Sequence, residues 1–303
     1  YNGLLNNLNK RFEHDLTHEL TGEVSLKLGV SGAISNPVVN LQTNVRDIDS
    51  RFFSIDSLDA GINIKDQIVT VGKLNIKKGK GEIQLKKEFK LYDLKNRKLD
   101  LKEIDLALRD YHTNDALKAI ASAISPLKGY LSGDVAIFYD SGSFLFNLKP
   151  GFRLDDFRLQ FGEDAPILSN AGFVFNESEL LLDKNLDLGI DVRMKFHDGY
   201  LDAKGKIDDK GIDVLTSKSK IDLDKFGPIS GVSLSGLNQF KLKAVGPWSD
   251  VKLNFIGEIE KFGLLDFYLP KLSYEVVYEV NHFKLDVPKA HGQLLDGSLA
   301  VDG

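Results

Sequence analysis

The chain has no cysteine. Disulfides, cysteine-based zinc centres and thiol nucleophiles are therefore excluded. It has no excess of positive charge either. Thirty-nine Lys and Arg against 44 Asp and Glu leave a formal net charge of −5. Nucleic acid is thus not an expected partner, because that would need a basic balance and clustered Lys and Arg among aromatics. No run of about 18 apolar residues exists to cross a membrane as a helix, and no secretory leader opens the sequence. G-x-S-x-G, P-loop and G-x-G-x-x-G elements are also missing. What remains is a 303-residue chain, 42% hydrophobic, with ample material for a core or for several modules. It begins at Tyr1 and closes on "GQLLDGSLAVDG" while a strand pattern is still running. A piece of a longer chain, or a processed product, is the expectation.

The dominant signal is alternation. In "NLDLGIDVRMKF" (185–196), Leu186, Leu188, Ile190, Val192, Met194 and Phe196 are apolar without a break, and Asp187, Gly189, Asp191, Arg193 and Lys195 stand between them. A strand sends successive side chains to opposite faces, so this segment has one oily and one charged face. From Phe12 to Val30 the even positions read Phe, His, Leu, His, Leu, Gly, Val, Leu, Leu, Val, while most odd ones are polar. Similar stretches are Val39-Leu41, Ile62-Ile64, Val69-Val71, Val135-Ile137, Phe144-Phe146, Phe157-Leu159-Phe161, Phe173-Phe175, Phe240-Leu242, Val251-Leu253-Phe255 and Tyr274-Val276-Tyr278. Turn signals such as "KDQ" (65–67), "DSGS" (140–143) and "DDKG" (208–211) punctuate them. The reading is all-β, a meander of antiparallel hairpins.

One segment breaks the rule. "TNDALKAIASAIS" (113–125) places Leu117, Ile120 and Ile124 at helical spacing, with capping residues before them and Pro126 after. It predicts one principal short helix, and 4–12 is a second candidate. The helix lies between copies of a repeat that open at Gly22, Gly129 and Gly231. In the first and third, "LKLGVSGAISNPVVNLQTNV" (26–45) lies over "FKLKAVGPWSDVKLNFIGEI" (240–259), as strand, glycine-containing turn with Pro37 or Pro247, and returning strand. The expected organisation is a leading segment 1–20, a β-repeat 21–112, the helical connection 113–127, a second repeat 128–227 and a truncated third over 228–303. Repeats of this kind imply a stacked, extended architecture.

A porin-like barrel also alternates, but it needs aromatic girdles at the strand ends and a polar lumen. Here Phe144, Phe146, Phe157, Phe161, Phe173 and Phe175 run along the apolar face itself. That face must point inward. It is buried either against a second sheet in a sandwich, or in a curled trough whose interior receives apolar ligands. The candidate lining is Leu26, Leu28, Val30, Val39, Leu41, Ile62, Ile64, Val69, Val71, Val135, Ile137, Phe144, Phe146, Phe157, Leu159, Phe161, Phe173, Phe175, Leu188, Ile190, Val192, Met194, Phe196, Phe240, Leu242, Val251, Leu253, Phe255, Tyr274, Val276 and Tyr278.

"LKLGVSGAISNPVVNLQTNV" and "IVTVGKLNIKKGKGEIQL" (68–85) resemble the AsmA-like and TamB family of bacterial envelope proteins. The likeness is one of strand–Gly–turn–Pro–strand pattern over nearly the whole chain. It implies a taco-shaped β-groove in the periplasm, on a longer chain with an inner-membrane anchor outside this segment. It further implies an outer-membrane barrel partner, and phospholipid acyl chains as the cargo of a bridge between the two membranes. No cofactor is implied.

Other candidates for chemistry are weak. His14 and His18 have zinc-ligand spacing only if helical, and as strand residues they stand about 13 Å apart. "DKNLDLGID" (183–191) has calcium-loop acids at Asp183, Asn185 and Asp187, but its glycine falls one place late and the closing Glu is missing. "KKGKGE" (77–82) reads as a solvated turn. Asp155 and Asp156 face opposite ways in a strand. No catalytic constellation emerges, so the chain is not expected to be an enzyme and no metal is expected.

Overall fold

The computed structural model describes residues 21–34, 36–49, 54–113, 127–159, 168–185, 187–196, 199–217, 219–225, 233–282, 284–294 and 297–302. The leading segment, most of the expected helix, Phe161 and Gly231 lie outside the described residues, as do the side chains of Leu159 and Phe196. The fold is all-β, with 81% of the described residues in strands and 3% in helix. Every strand ladder with an assigned register is antiparallel, and nearly all join strands close in sequence, as an alternating meander requires. The chain clusters into two compact units.

The first unit holds β1 (Thr21–Ala33), β2 (Asn36–Asp49), β3 (Ser54–Lys65), β4 (Ile68–Lys78), β5 (Gly81–Leu85), β6 (Phe89–Asp93), β7 (Lys98–Leu99), β8 (Glu103–His112), most of β9 (Leu127–Asp140) and β10 (Ser143–Leu148). Directly paired residues in an antiparallel ladder share a face, so register alone assembles this unit's apolar side. One row runs Val24, Val45, Leu58, Ile76, Ile83, Leu108 across six strands. A second runs Leu28, Leu41, Ile62, Val71, and a third Leu85, Leu106, Val135, Leu148.

The second unit holds nearly all of β11 (Phe152–Leu159), then β12 (Leu168–Phe175), β13 (Ser178–Leu182), β14 (Leu188–Phe196), β15 (Gly199–Ile207), β16 (Gly211–Thr216), β17 (Ser219–Asp222), β18 (Leu234–Pro247), β19 (Lys252–Leu264), β20 (Phe267–Glu279), β21 (Lys284–Leu294) and β22 (Gly297–Asp302). Single 3₁₀ turns at Leu223–Lys225 and Val280–His282 interrupt it.

The repeat has a backbone signature. Gly22, Gly129 and Gly236 each approach a partner-strand carbonyl, that of Arg46, Asp155 or Glu260, which a Cβ would meet at 3.1, 2.8 and 2.7 Å. The next residue on that partner strand is left-handed each time: Asp47 at φ 51°, Asp156 at 52° and Lys261 at 55°. The register slips at Gly22 and at Gly236, which is a β-bulge. Bulges bend the strand and increase its twist, so this device recurs where a sheet must curl. The three glycines are spaced 107 and 107 residues apart. Gly236 is therefore the third member of this backbone series, five residues beyond the Gly231 on which the sequence repeat opens.

Candidate functional site: the apolar face

The apolar face differs sharply along the chain. In β1 every described side chain is exposed, and Val24, Leu26, Leu28 and Val30 keep 63, 63, 65 and 64% of their surface in water. Of the sequence-predicted lining, Val39, Leu41, Ile62, Ile64, Val69, Ile137, Phe144, Phe146, Phe175, Leu188, Ile190, Met194, Leu242, Leu253, Phe255, Tyr274, Val276 and Tyr278 are half-buried. Val71, Val135, Phe157, Phe173, Val192, Phe240 and Val251 are buried. The ladders bring these residues to a common face within each unit. Ile190 pairs Leu180 and Gly205, Met194 pairs Leu201, and Phe255 pairs Leu242 and Val276. Alternation also placed Leu58, Ile76, Ile83, Leu106 and Leu108 on that face, although the candidate lining omitted them. Their signal was present in "SIDSLDAG" (54–61), "LNIKKGKGEI" (74–83) and "EIDLALRD" (103–110).

At one place the face closes on itself. Leu223, Ile259, Phe262 and Leu269 form a buried cluster, against which Ile221, Leu234, Leu264, Leu272 and Tyr274 pack. Leu223 belongs to a 3₁₀ turn rather than a strand, so an irregular segment supplies the cover. Buried against the same end is Asn238, whose Oδ1 accepts a hydrogen bond of 2.9 Å from the Tyr274 hydroxyl. Burial pushes the Tyr274 phenol up from its ordinary value.

The opposite face carries ion pairs, most of them between paired strands. Lys204 meets Asp191 at 3.1 Å, Lys252 meets Glu279 at 3.1 Å, Lys271 meets Glu258 at 2.8 Å, and Lys86 meets Asp134. Exposed pairs of this kind contribute about 0–1 kcal/mol each. Charge does not fill this face throughout, as the sequence pattern suggested. Leu181, Leu215 and Ile256 lie on it and are 44, 50 and 58% exposed.

The remaining candidates resolve into turns. Asp183 Oδ1 accepts from the Asn185 amide at 2.7 Å, the local bond of an Asx turn. Asp187, Asp208 and Asp209 bring carboxylates within 4.8 Å of one another, but Lys206 Nζ sits 2.8 Å from Asp187 and 3.5 Å from Asp208 and already supplies the cation. Asp208 also caps its turn, accepting from the Lys210 and Gly211 amides, and these bonds hold its carboxyl below the usual carboxylate value. In "KKGKGE", Lys77 pairs with Glu82 and Lys78 with Asp56, so two of its three lysines are engaged. A depression of about 270 Å³ in the first unit is lined by seven charged side chains and Phe89, the wrong chemistry for an acyl chain.

What the fold and face define is a class: an antiparallel β-meander with a laterally continuous apolar face in each unit. No family model, curated protein or solved structure matches this chain.

Proposed function

We propose that this chain is a segment of a periplasmic lipid bridge, holding phospholipid acyl chains against its apolar strand faces between inner and outer membrane. The observation that carries the reading is β1. Its four apolar side chains remain nearly two-thirds exposed, yet they stand in register with apolar residues running across the following strands. Contiguous exposed apolar surface of this kind marks an interaction site, and this one has the shape of a strip. Each methylene removed from water gains about 0.8 kcal/mol. A uniform apolar strip loses little contact as a chain slides, so translation is easy while escape is costly. The periplasmic setting, the inner-membrane anchor and the outer-membrane barrel partner rest on the family resemblance alone.

The rival reading is a structural or outer-membrane-assembly β-repeat whose sheets bury their own faces. The Leu223–Ile259–Phe262–Leu269 cluster favours it locally. Photo-crosslinking residues placed at Leu28, Met194 and Leu253 decide between them, with outward controls at Lys27, Arg193 and Lys252. The bridge reading expects lipid adducts at all three inward sites and few at the controls. Folded variants without adducts at any inward site would leave the self-buried repeat.

A further inference from the structure

The apolar face of the second unit contains one polar station, and its chemistry is specific. Ser219, Phe240, Gly257 and Tyr274 form one cross-strand row, and Ile221, Asn238, Ile259 and Leu272 form the next. Gly257 lets the tyrosine lie across the row, since a Cβ there would meet the Tyr274 hydroxyl oxygen at 2.9 Å. That hydroxyl donates to Asn238 Oδ1. The Asn238 side-chain amide is left as a donor with no protein acceptor among the described residues. Ser219, a diagonal neighbour of Asn238 across the β17–β18 ladder, is fully buried, and its Oγ has no hydrogen-bond partner. Unmade hydrogen bonds on buried groups are costly, so the Ser219 hydroxyl, unpaired beside an asparagine amide that meets no protein acceptor, needs an explanation.

We infer that Asn238, with Tyr274 and Ser219 behind it, is a binding station for the carbonyl of an ester-linked acyl chain lying along β18, β19 and β20. The inference rests on the lipid-trough reading above and names which part of the lipid is recognised. Two observations fix the ligand class. First, the inner positions beyond the station, Phe240, Leu242, Ala244, Leu253, Phe255, Val276 and Tyr278, carry no charge. An ionised carboxylate would meet donors there but no cation and would bear a desolvation cost, whereas an ester carbonyl is a neutral acceptor. Second, the station adjoins the closed Leu223–Ile259–Phe262–Leu269 cluster. A chain can therefore run from Asn238 in one direction only, along about 20 Å of β18 to Ala244.

The test uses the whole chain and two fluorescent polyenes: methyl parinarate, an acyl ester, and diphenylhexatriene, a hydrocarbon without a polar atom. Asn238→Leu keeps the side chain's size and removes the donor. It is expected to weaken ester binding about tenfold, the worth of one hydrogen bond, while hydrocarbon binding stays within about twofold. Asn254→Leu, on the opposite face of the same strand pair, should change neither. Tyr274→Phe, which frees the asparagine to rotate, should cost the ester a few-fold and serves if Asn238→Leu does not fold. Ionised parinarate should bind wild type more weakly than its methyl ester. The station is overturned if folded Asn238→Leu binds the ester as wild type does, if it loses both probes equally, or if the ionised acid binds more tightly than the ester. Wild type binding neither probe would overturn the trough as well. Wild type binding both without discrimination by Asn238→Leu overturns the station alone.

Discussion

β1 and the β17–β20 corner carry the same alternating sequence pattern and meet opposite ends. On β1, Leu28 is 65% exposed and opposes Leu41 with nothing above it among the described residues. At the corner, Leu269 is 1% exposed beneath Leu223, Ile259 and Phe262. Alternation specifies that a face is apolar. Whether the face is covered depends on irregular segments such as the Leu223 turn, which follow no period. The open face leaves its apolar side chains accessible, and the closed cluster contributes stability through burial.

The largest expected effect sharpens that contrast. Phe262→Ala or Leu269→Ala should cost about 2–5 kcal/mol in urea unfolding, the usual penalty for truncating a buried side chain. Leu26→Ala or Leu28→Ala should stay within about 0.5 kcal/mol, as exposed sites do. If the β1 variants lose as much as the corner variants, β1 is covered in solution and the open-face account fails there.

Next come the bulge glycines. Gly236→Ala places a Cβ 2.7 Å from the Glu260 carbonyl oxygen at φ 114°, and should cost about 1–3 kcal/mol for a strained backbone. A Cβ on Gly72 would meet nothing within 4 Å, and its φ is not positive, so Gly72→Ala should be close to neutral. Equal effects would remove the bulge as a designed feature of the repeat.

The smallest effect concerns the charged face. Asp208 is held below its ordinary value of 3.8, first by the Lys210 and Gly211 amides, and Asp56 likewise, first by the Gly79 amide. A carboxyl whose folded value is depressed contributes stability that is fully present above its unfolded value and lost as pH falls through the folded one. The unfolding midpoint should therefore drop as pH falls below about 4, and Asp208→Asn should flatten that drop. An unchanged slope in Asp208→Asn would show that the turn bonds do not couple to folding.

Much of this was legible in the sequence. Period-2 runs placed Leu28, Leu41 and Ile62 on one face, and the ladders align them. The residues between Leu182 and Leu188 were legible as a break between two alternating runs, and the β13–β14 ladder closes across them. Three features were not. Gly236 was hidden because glycines crowd the third repeat, and the bulge at Glu260–Lys261 that marks it is a backbone feature without a sequence motif. Ile256 and Leu215 read as strand interior by composition, yet they face water. The Asn238–Tyr274 contact joins residues 36 apart in sequence, and no local pattern announces a pair made across two ladders.

Lipid is proposed to lie against the apolar face of each unit. Native mass spectrometry of the purified chain, followed by release and identification of anything bound, tests it most directly. Co-purifying phospholipid is expected, displaced in Leu28→Glu and Met194→Glu while circular dichroism stays that of a folded β-protein. A clean apo mass from wild type, with the same folded spectrum, would contradict it.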